Sequence, residues 1–237
     1  MKLPYLKSMA FLAIGLLLAS CSGNDDNETI TGTGTLGIES DNAFDGNDLI
    51  LNANNKATSN GEVLQVNQIK YIVSNIVLTA EDGTTFTYPK SNSYFIVDEA
   101  YYDLGQAAQS GFAAQAQAAG LLPSWDGGYK FLDMEGTFTA SNYPGVTPYT
   151  VLTGKTAAQY NYKEVTLNLP AKALVRTDIA PEIHIIADLA ELIDGTNNIS
   201  LANAVSGNAA NISDGANVGL ITQNLDGVFS VAHVHND

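Results

Sequence analysis

The sequence predicts an all-β fold, a β-sandwich of about nine or more short strands with one short Ala/Gln-rich helix. Three observations carry this. β-branched and aromatic residues recur in short runs of period two, as in half-buried strands. Gly, Asn, Asp and Pro clusters separate those runs at short intervals and supply turn chemistry. Finally, 45 % of residues are apolar and only 15 % are charged, enough to build a sizeable core in one domain.

The elements follow in chain order. Residues 33–40 alternate and read as a first strand. Residues 41–48 are acidic and resemble a calcium loop in composition. However, Ala43 breaks the EF-hand spacing and Asn52 stands where a Glu is needed, so an Asp-Gly turn is expected. Leu49-Ile50-Leu51 continues as strand, and residues 52–61 form a polar loop. Residues 62–80 hold the longest apolar run and predict two strands or one bent strand, central and buried near residues 71–78. Asp82-Gly83 marks a hairpin turn into residues 84–88, and residues 93–98 form another strand.

Residues 104–120 break the pattern. They are rich in Ala and Gln and stop at Gly120, which predicts a short helix. Next comes Trp125-Asp126-Gly127-Gly128-Tyr129-Lys130-Phe131-Leu132-Asp133-Met134-Glu135-Gly136. The Gly pair predicts a tight turn, because Gly reaches positive φ without steric cost. A strand follows, with Tyr129, Phe131 and Asp133 on one face and Lys130, Leu132 and Met134 on the other. Residues 142–148 read as a loop. Residues 149–154, 165–169, 173–175 and 183–189 read as short strands, with one helical turn over 189–193. Residues 196–219 read as a loop with room for a short helix, and residues 225–235 close the domain as strand. No internal repeat is present.

The formal charge is −15, and no basic stripe is visible. A chain this acidic repels phosphate backbones, so nucleic-acid binding is excluded. At the N-terminus, Lys2 and Lys7 precede an apolar run over residues 9–19 that is too short to span a membrane. It ends Leu18-Ala19-Ser20-Cys21, which resembles the bacterial lipobox. Cys21 is the only Cys, so no disulfide can form. The expected organisation is a lipoprotein signal peptide over 1–20, a flexible acidic tether over 21–32 and a β domain over 33–237. Lipid on Cys21 would anchor the mature protein, at −17, in the bacterial outer membrane, facing the periplasm or the cell surface.

No nucleophile elbow, phosphate loop or Cys pair is present. Asp133 and Glu135 share a strand face, but nothing around them supports a glycosidase pair. No catalytic residue is expected. The three His are the residues with chemistry to offer: His184, His233 and His235. His233 and His235 share a strand face at i, i+2 and are close enough to hold one metal, and imidazole with a soft neighbour suits copper. A bare His-x-His also recurs on ordinary surfaces. His184, flanked by Ile183, Ile185 and Ile186, reads first as a half-buried structural His and second as a further ligand.

In order, the chain holds Gly61-Glu62-Val63-Leu64; Tyr71-Ile72-Val73-Ser74-Asn75-Ile76; Tyr94-Phe95-Ile96-Val97-Asp98; the block from Trp125 to Gly136; Asp188-Leu189; and an ending Phe-x-Val-x-His-Val-His from Phe229 to His235. This succession resembles the MbnP-like copper-binding proteins over roughly residues 33–235, with the Trp block the most specific part. The resemblance implies a non-catalytic protein that binds one copper ion through His and through a Trp oxidised to kynurenine, with a di-haem peroxidase as the oxidising partner. On this chain the expected copper ligands are His233 and His235, with Trp125, Met134 and His184 as further candidates. Pro123 stands where the family has the first Trp of a Trp-x-Trp pattern, and Leu152 stands where it often has a His. The alternative expectation is a divergent, metal-free member acting as a surface binding or structural module.

Overall fold

A computed structural model describes residues 10–16, 34–100, 109–124, 127–155 and 160–237. The expected lipidation site Cys21 and the candidate ligand Trp125 lie outside the described residues. In chain order the first half holds β1 (Ala10–Leu16), β2 (Gly34–Phe44), β3 (Asn47–Asp48), β4 (Asn54–Ala57), β5 (Val63–Ser74), β6 (Val77–Thr79), β7 (Thr85–Thr87), β8 (Tyr94–Asp98) and α1 (Gln109–Ala118). The second half holds β9 (Lys130–Ala140), β10 (Tyr143–Gly154), β11 (Glu182–Asp188), α2 (Glu191–Asp194), β12 (Val205–Ser206), β13 (Ala209–Ile212), α3 (Gly215–Val228) and β14 (Phe229–His235).

The expected sandwich is present. One sheet runs β1-β2-β11-β14, with β3 attached to β2. The other runs β12-β13-β10-β9-β5-β4, with β8 attached to β5, and β6-β7 is a separate hairpin. The sheets bury their apolar faces against each other, as alternating strands require. Leu64, Ile69, Met134, Phe138 and Val151 of the larger sheet meet Phe44 and Ala187 of the smaller, with Ile221 and Val228 of α3 closing that end. A second cluster joins Leu36, Ile38 and Ile183 to Phe95 and Tyr88. A third lies on the outer side of the larger sheet, where Phe112 and Ala116 of α1 cover Ile96 and Ile72. β1 pairs antiparallel along the outer edge of β2, from Ala10↔Ser40 to Leu16↔Gly34.

Several motif residues turn out to hold the fold. Glu62 is 1 % exposed. Its carboxylate accepts hydrogen bonds from Ser200 Oγ (2.7 Å), Ala202 N (2.9 Å) and Leu201 N (3.1 Å), which fixes a turn far away in sequence. Asp188 accepts from the backbone N–H groups of Asp45 and Gly46, both at 2.8 Å, and so stabilises the Asp-Gly turn read from the sequence. Asn75 takes a positive φ of 56° and bends the chain between β5 and β6. Gly136 packs against the neighbouring backbone: a Cβ there would meet Gln65 O at 2.0 Å.

Some expectations are corrected. α3 (Gly215–Val228) begins inside the stretch read as a loop with room for a short helix and runs on through residues 225–228 of the expected closing strand. The buried positions Val218, Ile221, Asn224 and Val228 follow the helical period, which the polar composition around them disguised. Residues 165–169 and 173–175 alternate like strands but pair with no sheet. They form an extended strap that crosses the mouth of the sandwich. Leu49-Ile50-Leu51 turns away after the two-residue β3, and the loop read over residues 52–61 contains β4. β10 starts at Tyr143, ahead of the residues read as strand, and absorbs the Pro/Gly stretch through a register shift.

Candidate functional site

β11 and β14 bring the three His together. His184 pairs directly with His233, and Glu182 with His235. The ring centroids of His184 and His233 are 4.7 Å apart, and those of His233 and His235 are 4.5 Å apart, both edge to face. The three imidazoles therefore form one file. A β-bulge sets the direction they face. His184 pairs with His233 but Ile185 pairs with Val231, so Ala232 is the extra residue. Phe229, Val231 and Val234 pack inward, while His233 and His235 are exposed on the outer face of the smaller sheet. His184 is half-buried, and its Nε2 atom is enclosed with no hydrogen-bond partner. Glu182 Oε1 is enclosed in the same way, leaning over Gly37 at a distance where a Cβ would meet it at 3.8 Å. Glu39 lies in register with His184 on β2. Among the described residues, no group of three or more His, Cys, Asp or Glu side chains is disposed around one point to hold a metal ion.

The remaining candidates lie elsewhere. Met134 is fully buried in the main core on the inner face of the larger sheet, in register with Ile69 and Val151. The smaller sheet stands between its sulfur and the His file. The residues flanking Trp125 are also remote from it. Gly127 has the positive φ the turn requires, and Ser124 N donates to Gly128 O at 2.6 Å. Tyr129 then packs on Phe112 of α1, ring centroids 5.5 Å apart, on the outer side of the larger sheet. Leu152 is on that side too, paired with Asp133. Tyr129, at the start of the strand that follows the Gly turn, and the terminal His pair thus lie on opposite outer faces of the sandwich.

Beside the Trp block lies a row of charges. Lys70 contacts Asp98 at 3.4 Å and donates to Ala119 O at 2.9 Å. Lys130 donates to Asp133 Oδ2 at 2.7 Å, and Asp133 is only 2 % exposed. Burial, and after it the Asp133 carboxylate, hold Glu135 above the usual carboxylate range. Among the described residues these carboxylates form no group that could hold a metal ion.

A family model described as MbnP matches residues 33–117 and 97–213, most of the chain. The chain belongs to the MbnP family. No curated protein and no solved structure matches it.

Membership in the MbnP family, which is associated with copper and is of a non-catalytic type, agrees with the succession of motifs. Within the matched residues, Glu62, Asn75, Asp188 and Gly136 hold the fold and His184 carries an enclosed Nε2 with no hydrogen-bond partner, whereas His233 and His235 lie beyond the matched stretch. Pro123 and Leu152 fall on the side of the Trp block. Sequence reasoning missed Glu39 and Glu182 as neighbours of the imidazoles. The i, i+2 spacing of Glu182 and His184 was the available signal, because it puts both on one strand face.

Proposed function

We propose that this chain is a lipid-anchored, non-catalytic copper-binding protein of the bacterial cell envelope, with His233 and His235 as copper ligands and His184 as the third imidazole. The observation that carries this reading is the file of three rings on one sheet face, including a His184 Nε2 enclosed without a partner. Imidazole nitrogens suit copper, and rings on an exposed strand face can turn about χ1 and χ2 to converge. The acids Glu39 and Glu182 and the negative charge of the whole chain favour a cation here. When bound, copper would be stored or handed on by these ligands.

The test is a Cu(I) titration of the chain from residue 22 onward against a chromophoric chelator. One tight equivalent is expected, lost in the His233→Ala, His235→Ala double variant. Tight binding that survives in the double variant would sink the ligand assignment. A chain that takes up no stoichiometric Cu(I) would instead be the metal-free binding or structural module. Trp125 is tested separately. If a di-haem peroxidase is the partner, intact mass after exposure to it shifts by the few daltons of kynurenine formation. Trp125→Phe is expected to leave Cu(I) affinity unchanged, because the flanks of Trp125 lie on the other outer face. For the anchor, Cys21→Ser should release the protein from membranes, and protease shaving of intact cells distinguishes surface from periplasm.

A further inference from the structure

Between the two sheets, beside the C-terminal turn of α3, lies a cleft of about 1800 Å³ lined in part by Leu225 and Val228. Leu36, Ile38 and Ile183 of the smaller sheet face Val73 and Phe95 of the larger across it, and it opens around the edge strand β8 toward Ile96 and Phe112 on the outer side. Residues 161–175 cross its mouth without joining a sheet. The bonds that fasten this strap lie toward its two ends. Asn161 is tied to Gly154 O, and Lys163 pairs with Asp226 at 2.7 Å. At the other end Lys172 pairs with Glu81 at 2.7 Å, and Asn236 bonds Leu174 N and Lys172 O. Between these ends Val165 and Leu167 line the cleft, and Leu169 is 40 % exposed.

Protein interiors are packed as densely as organic crystals, and ligand cavities run to about 300–1,000 Å³. A larger apolar space under a loosely fastened strap is built to take something in. The floor says what. Tyr71 Oη donates to Asn42 Oδ1 at 3.0 Å, and Asn42 Nδ2 donates to Glu99 Oε2 at 2.8 Å. Asp41 and Asp98 lie near Glu99, whose carboxyl is pushed up first by burial and then by these neighbours. Asp98 is already paired with Lys70 at 3.4 Å, so Glu99, held by the Asn42 amide, is the acid that faces the cleft. The cations that line the mouth, Lys163 and Lys172, are held by Asp226 and Glu81.

We propose that this cleft binds a single-chain amphiphile with a cationic head, the apolar chain lying between the sheets and the head at Glu99 and Asn42, with residues 161–175 as the gate. A cation at the floor offsets the cost of burying Glu99, whereas a carboxylate head adds to that cost. This proposal is independent of copper.

The residues of all three described core clusters lie between Leu36 and Val234, so a chain from residue 22 onward keeps them and loses only the edge strand β1. That chain is titrated with the neutral fluorophore N-phenyl-1-naphthylamine, which is then displaced by dodecylamine or dodecanoate below their micelle concentrations. The fluorophore should bind, and dodecylamine should displace it at a concentration at least tenfold lower than dodecanoate. Glu99→Gln should narrow that preference to a few fold. Val73→Trp, which fills the cleft, should abolish fluorophore binding. Should that variant fail to fold, Leu167→Trp on the strap should weaken binding several fold. No fluorophore binding, equal displacement by both heads, or undiminished binding in the filling variants would each overturn the proposal. His233→Ala with His235→Ala should leave the titration unchanged.

Discussion

His184 and His233 stand directly opposite each other on β11 and β14, their ring centroids 4.7 Å apart, and His233 is also the neighbour of His235. His233 is therefore the centre of the file. If the file holds copper, His233→Ala should weaken Cu(I) binding most, by at least about tenfold, or roughly 1.4 kcal/mol. His184→Ala should have a smaller effect on the same scale. Competition against a chromophoric chelator gives both values. Equal affinity in His233→Ala and the parent would remove it from the ligand set.

Glu62 shows what the early Gly-Glu motif does for the fold. Its carboxylate satisfies two backbone N–H groups and the Ser200 hydroxyl from a position 1 % exposed. Glu62→Ala leaves those donors buried without an acceptor, at a cost of about 2–4 kcal/mol. The midpoint of thermal unfolding should fall on the order of 10 °C. Copper binding, measured below that midpoint, should not change.

Gly136 ends the Trp block because nothing larger fits. An added Cβ would sit 2.0 Å from Gln65 O and within 3 Å of the Tyr149 ring. Gly136→Ala must push β9 away from β5, so a loss of about 3 kcal/mol is expected in chemical denaturation. A variant as stable as the parent would show that the two strands can separate at little cost.

Glu135 gives a pH signature. Its folded pKa is raised, first by burial and then by the adjacent Asp133 carboxylate, so the native state favours its protonated form. The sign follows from linkage: a raised carboxyl pKa supplies stability at low pH that is lost as pH rises through the unfolded value toward the folded one. Glu135→Gln mimics the protonated form. It should match the parent near pH 4 and be the more stable protein near pH 7, as read from thermal unfolding at the two values. A difference independent of pH would argue against strain between Asp133 and Glu135.

Much of the sandwich was legible in the sequence. The β-branched alternation of β5, the Asp45-Gly46 turn and the Ala/Gln-rich α1 all stand where residue chemistry puts them. α3 was not legible, because Asn and Gly are poor helix formers and only burial of one face against the core holds them helical. The strap was misread for the converse reason. Val165, Leu167 and Leu169 alternate, but alternation specifies a strand only when a neighbour offers hydrogen bonds.

By itself the sequence determined the all-β class, the membership signalled by its ordered motifs, and the spacing that puts His233 beside His235. Tertiary structure alone decided which way that pair faces and what stands next to it. Strict alternation from Phe229 and Val231 would carry both His into the core. The extra residue at Ala232 turns them outward, and the pairing of β14 with β11 then brings His184 alongside. Pairing partners and bulges are long-range properties of the sheet. For the same reason only the fold could separate the Trp block from the His pair, because β9 and β14 belong to different sheets and their outer faces point in opposite directions.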